Sequence, residues 1–155
     1  MATKDIADAA KPIRDVWENI TNEYIQHNPG KYLILTSVHR PPKEQFALYQ
    51  KGRTQAFDGS WIVSDKSEIV TNVDGYKIKG AHNYYPARAI DVAVVDNQTG
   101  TVSWKESYYL SLGTIAKRFG LAWGGDWDGD GDRTDQKLHD LPHIEIKNYK
   151  NYKGS

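Results

Sequence analysis

Apolar residues recur at helical spacing over residues 5–27, where Ile6, Ala9, Ile13, Val16, Trp17, Ile20, Tyr24 and Ile25 mark one face. Asn28-Pro29-Gly30 supplies the stop. The next run, Tyr32 to Val38, is short, apolar and β-branched, and predicts a strand. Arg40-Pro41-Pro42 breaks it, and a second helix is expected from Lys43 to about Lys51. Between Thr54 and Lys79 the pattern is mixed. Trp61–Val63, Glu68–Val73 and Tyr76–Ile78 read as small strands, with Asp74-Gly75 as a hairpin turn. Ala89–Val95 has the strongest strand signal, and Asn97–Gly100 turns it. Ser107–Phe119 predicts a helix with Tyr109, Leu112, Ile115, Ala116 and Phe119 on one face and Gly120 just past its end. LAWGG reads as a short strand and turn, Asp126–Asp135 as a charged loop, and Pro142–Ile146 as a last strand. From about residue 148 the tail is polar and expected to fray. Helices and strands mix without regular βαβ alternation, so the expected class is α+β, in a single domain over 1–155.

Composition narrows the chemistry. Lys plus Arg balance Asp plus Glu at 20 each, so no basic field argues for nucleic acid. Cysteine is absent, which excludes disulfides and thiolate metal sites and leaves His and carboxylates as metal ligands. No stretch approaches the roughly 20 apolar residues needed to span a bilayer. The start, MATKDIADAAKPIRD, has no apolar core of signal-peptide type, so synthesis in the cytoplasm without a cleaved leader is expected. Tyr and Trp are plentiful; most Tyr are expected at half-buried sheet positions.

Against that background GAHNYYPARAIDVAVVD, Gly80–Asp96, raises a question, because Asp91 opens a β-branched run. A buried carboxylate is costly without a partner. Arg88 or Arg40 is one kind of partner; a metal ion is another. His82 and Asp91 flank a turn and can converge when it folds back. His143 lies in HDLPHIEI, on a strand that can sit beside Ala89–Val95. Two imidazoles and one carboxylate leave an open position on a zinc ion for water, whose pKa then falls to roughly 7. Asp140, three residues before His143, is the natural general base, with Pro142 stiffening the link. His139 reads as a loop neighbour. Glu145 shares a strand face with His143 and stays without a role.

These blocks, with SVHRPPKEQFALYQKGRT upstream and FGLAWGGDWDGDGDRTDQKLHDLPHIEI downstream, resemble in kind and order the LAS group of zinc peptidases. That group holds lysostaphin-type enzymes, D-Ala-D-Ala carboxypeptidases and hedgehog-like domains. The nearest likeness is to the L-alanoyl-D-glutamate and D-alanyl-D-alanine peptidases of peptidoglycan stem peptides, especially phage endolysins. It runs over nearly the whole chain. The resemblance implies a small central, mostly antiparallel sheet flanked by helices. It implies His82, Asp91 and His143 as zinc ligands, Asp140 as general base, Arg40 as the residue steadying the developing oxyanion, and Gln45 as its polar partner. His39 stands where an aromatic is common, Ala81 where Ser is common, and the turn from His82 to Asp91 is long. The implied function is a zinc endopeptidase cutting the L-Ala–D-Glu bond of stem peptides, a phage endolysin for host lysis that acts on the wall after membrane permeabilisation, as a monomer. A D,D-carboxypeptidase on the same site and a non-catalytic zinc-fold binding domain are the alternatives.

The loop DWDGDGDRTDQ carries a second possibility. Asp126, Asp128, Asp130, Gly131 and Asp132 fit the first half of a calcium loop, but position twelve is Lys137 where a bidentate Glu is required. Asp135 can replace the missing ligand. The alternative is a solvated acidic loop pinned by Arg133 and Lys137.

Overall fold

The computed structural model describes residues 1–134 and 139–154. The predicted first helix is broken in two. A 3-10 turn at Ile6–Asp8 leads into extended Ala9 and Ala10, and only then come α1 (Lys11–Arg14) and α2 (Trp17–His27). Pro12 explains the break: it lacks an N–H and is tolerated only in a first turn, so the helix restarts there. Ala9 and Ala10 are fully buried beside Ala87, where Ala10 N donates to Ala87 O at 2.8 Å. Their small side chains let two backbones touch at a place where apolar spacing alone suggests a continuous helix.

The remaining elements follow in order: β1 (Lys31–Ser37), α3 (Pro42–Gln50), β2 (Arg53–Gln55), β3 (Trp61–Val63), β4 (Ala89–Asp96), β5 (Val102–Ser103), α4 (Glu106–Arg118), β6 (Leu121–Trp123) and β7 (His143–Ile146). β1, β4, β7 and β6 lie side by side in that order, β5 extends the β7 side of β4, and every pairing is antiparallel. The architecture is therefore α+β around a small antiparallel sheet, as the pattern predicts. β2 and β3 form a separate hairpin. Glu68–Val73 and Tyr76–Ile78 are not strands. Asp74 holds that segment as a caged loop instead, its Oδ1 accepting from both Tyr76 N and Ile78 N at 2.9 Å.

One face of the sheet carries the core. Ile90, Val92 and Val94 of β4 and Ile144 and Ile146 of β7 pack with Ile20 and Tyr24 of α2 and Tyr109, Leu112 and Ile115 of α4. Gly113 of α4 faces Trp123, and a Cβ there would sit 2.2 Å from the indole. The opposite face of β4 and β7 is left for Ala89, Asp91, His143 and Glu145. The tail does not fray at 148. Arg88 Nη1 donates to Tyr149 O at 2.6 Å, and Tyr149 and Tyr152 pack against the core.

Candidate metal centre

Register decides which side chains meet. Asp91 of β4 is the cross-strand partner of His143 of β7, so both project from the face opposite the helices. On its other side Asp91 pairs with Ser37 at an irregularity of β1, where the register shifts between Leu35 and Ser37. His82 arrives from elsewhere, on a 3-10 turn at Ala81–Asn83. That turn is tied to the chain entering α3: Arg40 N donates to His82 O at 2.9 Å, and Asn83 Nδ2 to Arg40 O at 3.0 Å.

The three predicted ligands converge. His143 Nδ1 lies 3.1 Å from Asp91 Oδ1, and His82 Nε2 lies 3.3 Å from Asp91 Oδ2. One donor atom from each falls within 4.8 Å of the others. Neither Arg88 nor Arg40 neutralises Asp91; Arg88 is held by Tyr149 O, and Arg40 reaches Gln45. The remaining ring nitrogens are fixed by acceptors. His82 Nδ1 sits 2.7 Å from the carbonyl of Val38, which can only accept, so that nitrogen carries the hydrogen. His143 Nε2 sits 2.7 Å from Glu145 Oε1. The rings thus turn opposite nitrogens toward Asp91, Nε2 from one and Nδ1 from the other.

This set fits a zinc ion. His82 Nε2 is buried without a hydrogen-bond partner although Asp91 is close. A lone pair facing a carboxylate is unfavourable unless a cation lies between them. Two imidazole nitrogens and one carboxylate oxygen are the donors zinc prefers. Without a metal the same groups couple to one another: burial would raise Asp91, but the imidazoles of His143 and His82 facing its two oxygens hold it well below the usual carboxylate range. Burial would lower His143, but Asp91 and Glu145 on its two nitrogens push it up to about 9.

The predicted catalytic residues surround the same cavity, of about 410 Å³. Asp140 Oδ2 stands 3.9 Å from His143 Nδ1, and burial raises its pKa, with Asp91 and Glu145 adding repulsion against the attraction of His143. Gly124 locks Asp140 in place: Asp140 N donates to Gly124 O at 2.9 Å, and Gly124 N donates to His143 O at 2.8 Å. Arg40 Nη1 donates to Gln45 Oε1 at 3.3 Å, and buried Gln45 passes its amide to Val73 O at 3.0 Å. Gln45 therefore orients Arg40 from the wall of the same cavity. His139 is exposed. Sequence reasoning missed Trp127, whose ring centroid lies 5.4 Å from that of His143, and Tyr149, which closes the cavity. An indole between two aspartates was the available signal for Trp127.

The acidic loop is partly gathered. Carboxylate oxygens of Asp126, Asp128 and Asp130 lie within 4.8 Å of one another. Asp126 is buried; its Oδ2 accepts from Lys117 Nζ at 3.1 Å and Gly131 N at 2.9 Å, while Oδ1 has no hydrogen-bond partner. Asp132 turns to Thr134 instead, accepting from its backbone N at 2.9 Å. Among the described residues Arg133 is not seen pairing with the loop's carboxylates; it pairs with Glu106 at 2.7 Å and donates to Gly125 O. Asp135 and Lys137 lie outside the described residues.

No family model matches the sequence. Among curated proteins the chain is similar to the peptidoglycan L-alanyl-D-glutamate endopeptidase CwlK of Bacillus subtilis (strain 168), 32% identical over 128 residues that make up 77% of this chain. The match takes in 63% of that relative, so the chain spans less than two thirds of its length. Among solved structures there is a likeness to the Serratia marcescens L-Ala D-Glu endopeptidase ChiX, with a TM-score of 0.49 at 16% identity, covering 91% of this chain and 82% of that one.

Proposed function

We propose that this chain is an LAS-type peptidase, like its Bacillus relative a peptidoglycan endopeptidase, and that it cuts the L-Ala–D-Glu bond of stem peptides with the help of zinc. The convergence of His82, Asp91 and His143, with the hydrogen of each ring held away from Asp91, carries this reading. Zinc bound there would supply Lewis acidity and bring the pKa of a water molecule down to roughly 7. The chain's own residues do the rest. Asp140, with its raised pKa, takes the proton from the attacking water and hands it to the leaving amine. Arg40, aimed by Gln45, holds the charge that develops on the carbonyl oxygen.

An endopeptidase suits the cavity better than a carboxypeptidase. Trp127, Glu145 and Tyr149 border both the metal-centre cavity and a second one, so the groove continues past the ligands. The substrate is a stem peptide and the working form a monomer. The resemblance of the three motif blocks to phage endolysins supports a role in host lysis, with synthesis in the cytoplasm and action on the wall once the membrane is permeabilised. Among the described residues no helix is long and apolar enough to cross a membrane. A calcium ion at Asp126, Asp128 and Asp130 completes the reading, supported by their convergence and by the unpartnered Oδ1 of Asp126.

Mass spectrometry of digested muropeptides tests the activity. Products ending at L-Ala are expected; free D-Ala as the sole product would replace the reading with a D,D-carboxypeptidase. Zinc analysis of wild type against His143→Ala tests the metal, with loss expected in the variant.

A further inference from the structure

We propose that Ser37 is a positioning residue of the metal centre, whose buried hydroxyl donates to the oxygen of Asp91 that the ion leaves free. The inference rests on the zinc reading above and adds a residue that holds the carboxylate ligand once the metal is bound.

A break in strand register brings Ser37 to the site. Leu33 and Leu35 of β1 turn to the core, opposite Val94 and Val92 of β4. Regular alternation would carry Ser37 to the core as well. The register shifts between Leu35 and Ser37, however, and Val38 takes the next core position. Ser37 is thereby turned to the open face as the cross-strand partner of Asp91. On its other side Asp91 has His143 as its partner. Ser37, Asp91 and His143 thus form one row across β1, β4 and β7. Directly opposed side chains start about 5 Å apart at Cβ, a span that a hydroxyl and a carboxylate can close with a hydrogen bond.

The hydroxyl is otherwise unused. Ser37 is buried, and its Oγ has no hydrogen-bond partner among the described residues. Burying a hydroxyl without a partner is unfavourable, so the position is poorly explained by packing alone.

Metal binding creates the matching need. In the metal-free protein each Asp91 oxygen faces an imidazole nitrogen, Nδ1 of His143 at 3.1 Å and Nε2 of His82 at 3.3 Å. Those nitrogens carry no hydrogen when they ligate, and the hydrogens of the two rings stay at Val38 O and Glu145 Oε1. Neither ring can then donate to Asp91. A carboxylate that gives one oxygen to the ion keeps a second one that needs a donor. Ser37, next to it in the row, is a donor with nothing else to bond.

Ser37→Ala tests the assignment, read by zinc competition with a chromophoric chelator and by urea unfolding of the chelated protein. Zinc affinity is expected to fall about tenfold, the lower end of the range for groups that hold a metal ligand in place. The urea midpoint of the chelated variant is expected to match or exceed that of wild type, because alanine removes a buried polar atom that bonds nothing. A hydroxyl that only supports the strand would lower that midpoint instead. Ser37→Thr keeps the hydroxyl and suits a strand, and it is expected to recover most of the affinity. If its extra methyl lowers the chelated midpoint, the two alanine measurements decide alone. Wild-type zinc affinity in the alanine variant, as when a water molecule serves Asp91 or both its oxygens bind the ion, overturns the assignment. So does a loss of affinity accompanied by a lower chelated midpoint. Either result leaves the proposed function standing, whereas a wild type that binds no zinc overturns both.

Discussion

Glu145 takes the Nε2 hydrogen of His143 at 2.7 Å from the same strand face, two residues along β7. The contact leaves Nδ1, the nitrogen facing Asp91, as the lone pair. Carboxylates in this position orient a ligating imidazole and raise its basicity, and removing them typically costs 10–100-fold in metal affinity. Glu145→Ala is therefore expected to weaken zinc binding by about that factor in competition with a chromophoric chelator. Glu145→Gln keeps an acceptor and is expected to recover most of it. Wild-type affinity in the alanine variant would show that the ring is held by packing alone.

Stability and metal affinity are expected to move in opposite directions with pH. In the metal-free protein His143 rises from 6.5 to about 9 because Asp91 and Glu145 hold the imidazolium against the cost of burial. A raised basic group stabilises fully below its unfolded pKa, so this contribution is present below pH 6.5 and lost as pH climbs through about 9. Asp91 is depressed, so its contribution is present above its ordinary pKa and lost only in stronger acid. Zinc needs the bare Nδ1 and must displace that proton, so its affinity is expected to climb by up to about tenfold per pH unit over the same window. Urea midpoints of chelated protein at pH 6 and pH 9, beside zinc competition at both, check the pair of trends. A chelated midpoint that rises toward pH 9 would show that the imidazolium is not held this way.

Much of the site was legible because its chemistry lies in residue types that are costly to bury. Asp91 inside a β-branched run demanded a cation, and register brings His143 opposite it. What stayed hidden depends on long-range packing. The break at Ala9–Ala10 exists because Ala87 passes alongside, and helical spacing cannot register a neighbour 77 residues away in the chain (87 minus 10). The role of Glu145 needed the rotamer of His143, which no spacing rule supplies. Arg133 looked like a pin for its neighbours in sequence, yet Glu106 lies within its reach and claims it.

Asp140 is expected to matter for proton transfer and little for metal retention. It stands 3.9 Å from His143 Nδ1, outside the converging group of three. Asp140→Ala is expected to lower kcat by about 10²–10⁴, the usual contribution of a positioned acid–base group, with zinc content unchanged. Loss of the metal along with activity would recast the residue as a ligand.

Gly124 is expected to tolerate no side chain. A Cβ there would lie 2.0 Å from Asp140 O, and backbone atoms cannot yield as a flexible side-chain tip can. The same glycine bonds to both Asp140 and His143 through its backbone. Gly124→Ala is expected to cost about 1–3 kcal/mol of stability, the range for overpacking, and a disproportionate share of kcat. Gly113→Ala serves as the control: its Cβ would meet Trp123 at 2.2 Å, so stability is expected to fall while the surviving folded fraction keeps its kcat. Equal effects of the two on kcat would remove the link between Gly124 and the base.

Calcium is expected to bind the acidic loop and to be felt at the metal centre. Asp126, Asp128 and Asp130 converge, and Trp127, between the first two, lies against His143, so ordering the carboxylates also fixes one wall of the cavity. Lys117 already holds Asp126 Oδ2, which leaves Oδ1 for the ion and limits how strongly the carboxylates repel without it. Calorimetric titration of zinc-loaded protein with Ca²⁺ is expected to give saturable heat in the wild type and none in Asp126→Asn or Asp130→Asn. Tryptophan fluorescence is expected to change with the same midpoint, because Trp127 sits within the loop. Heat without a fluorescence change would leave a calcium site uncoupled from the cavity, and no heat at all would leave a solvated loop held by Lys117.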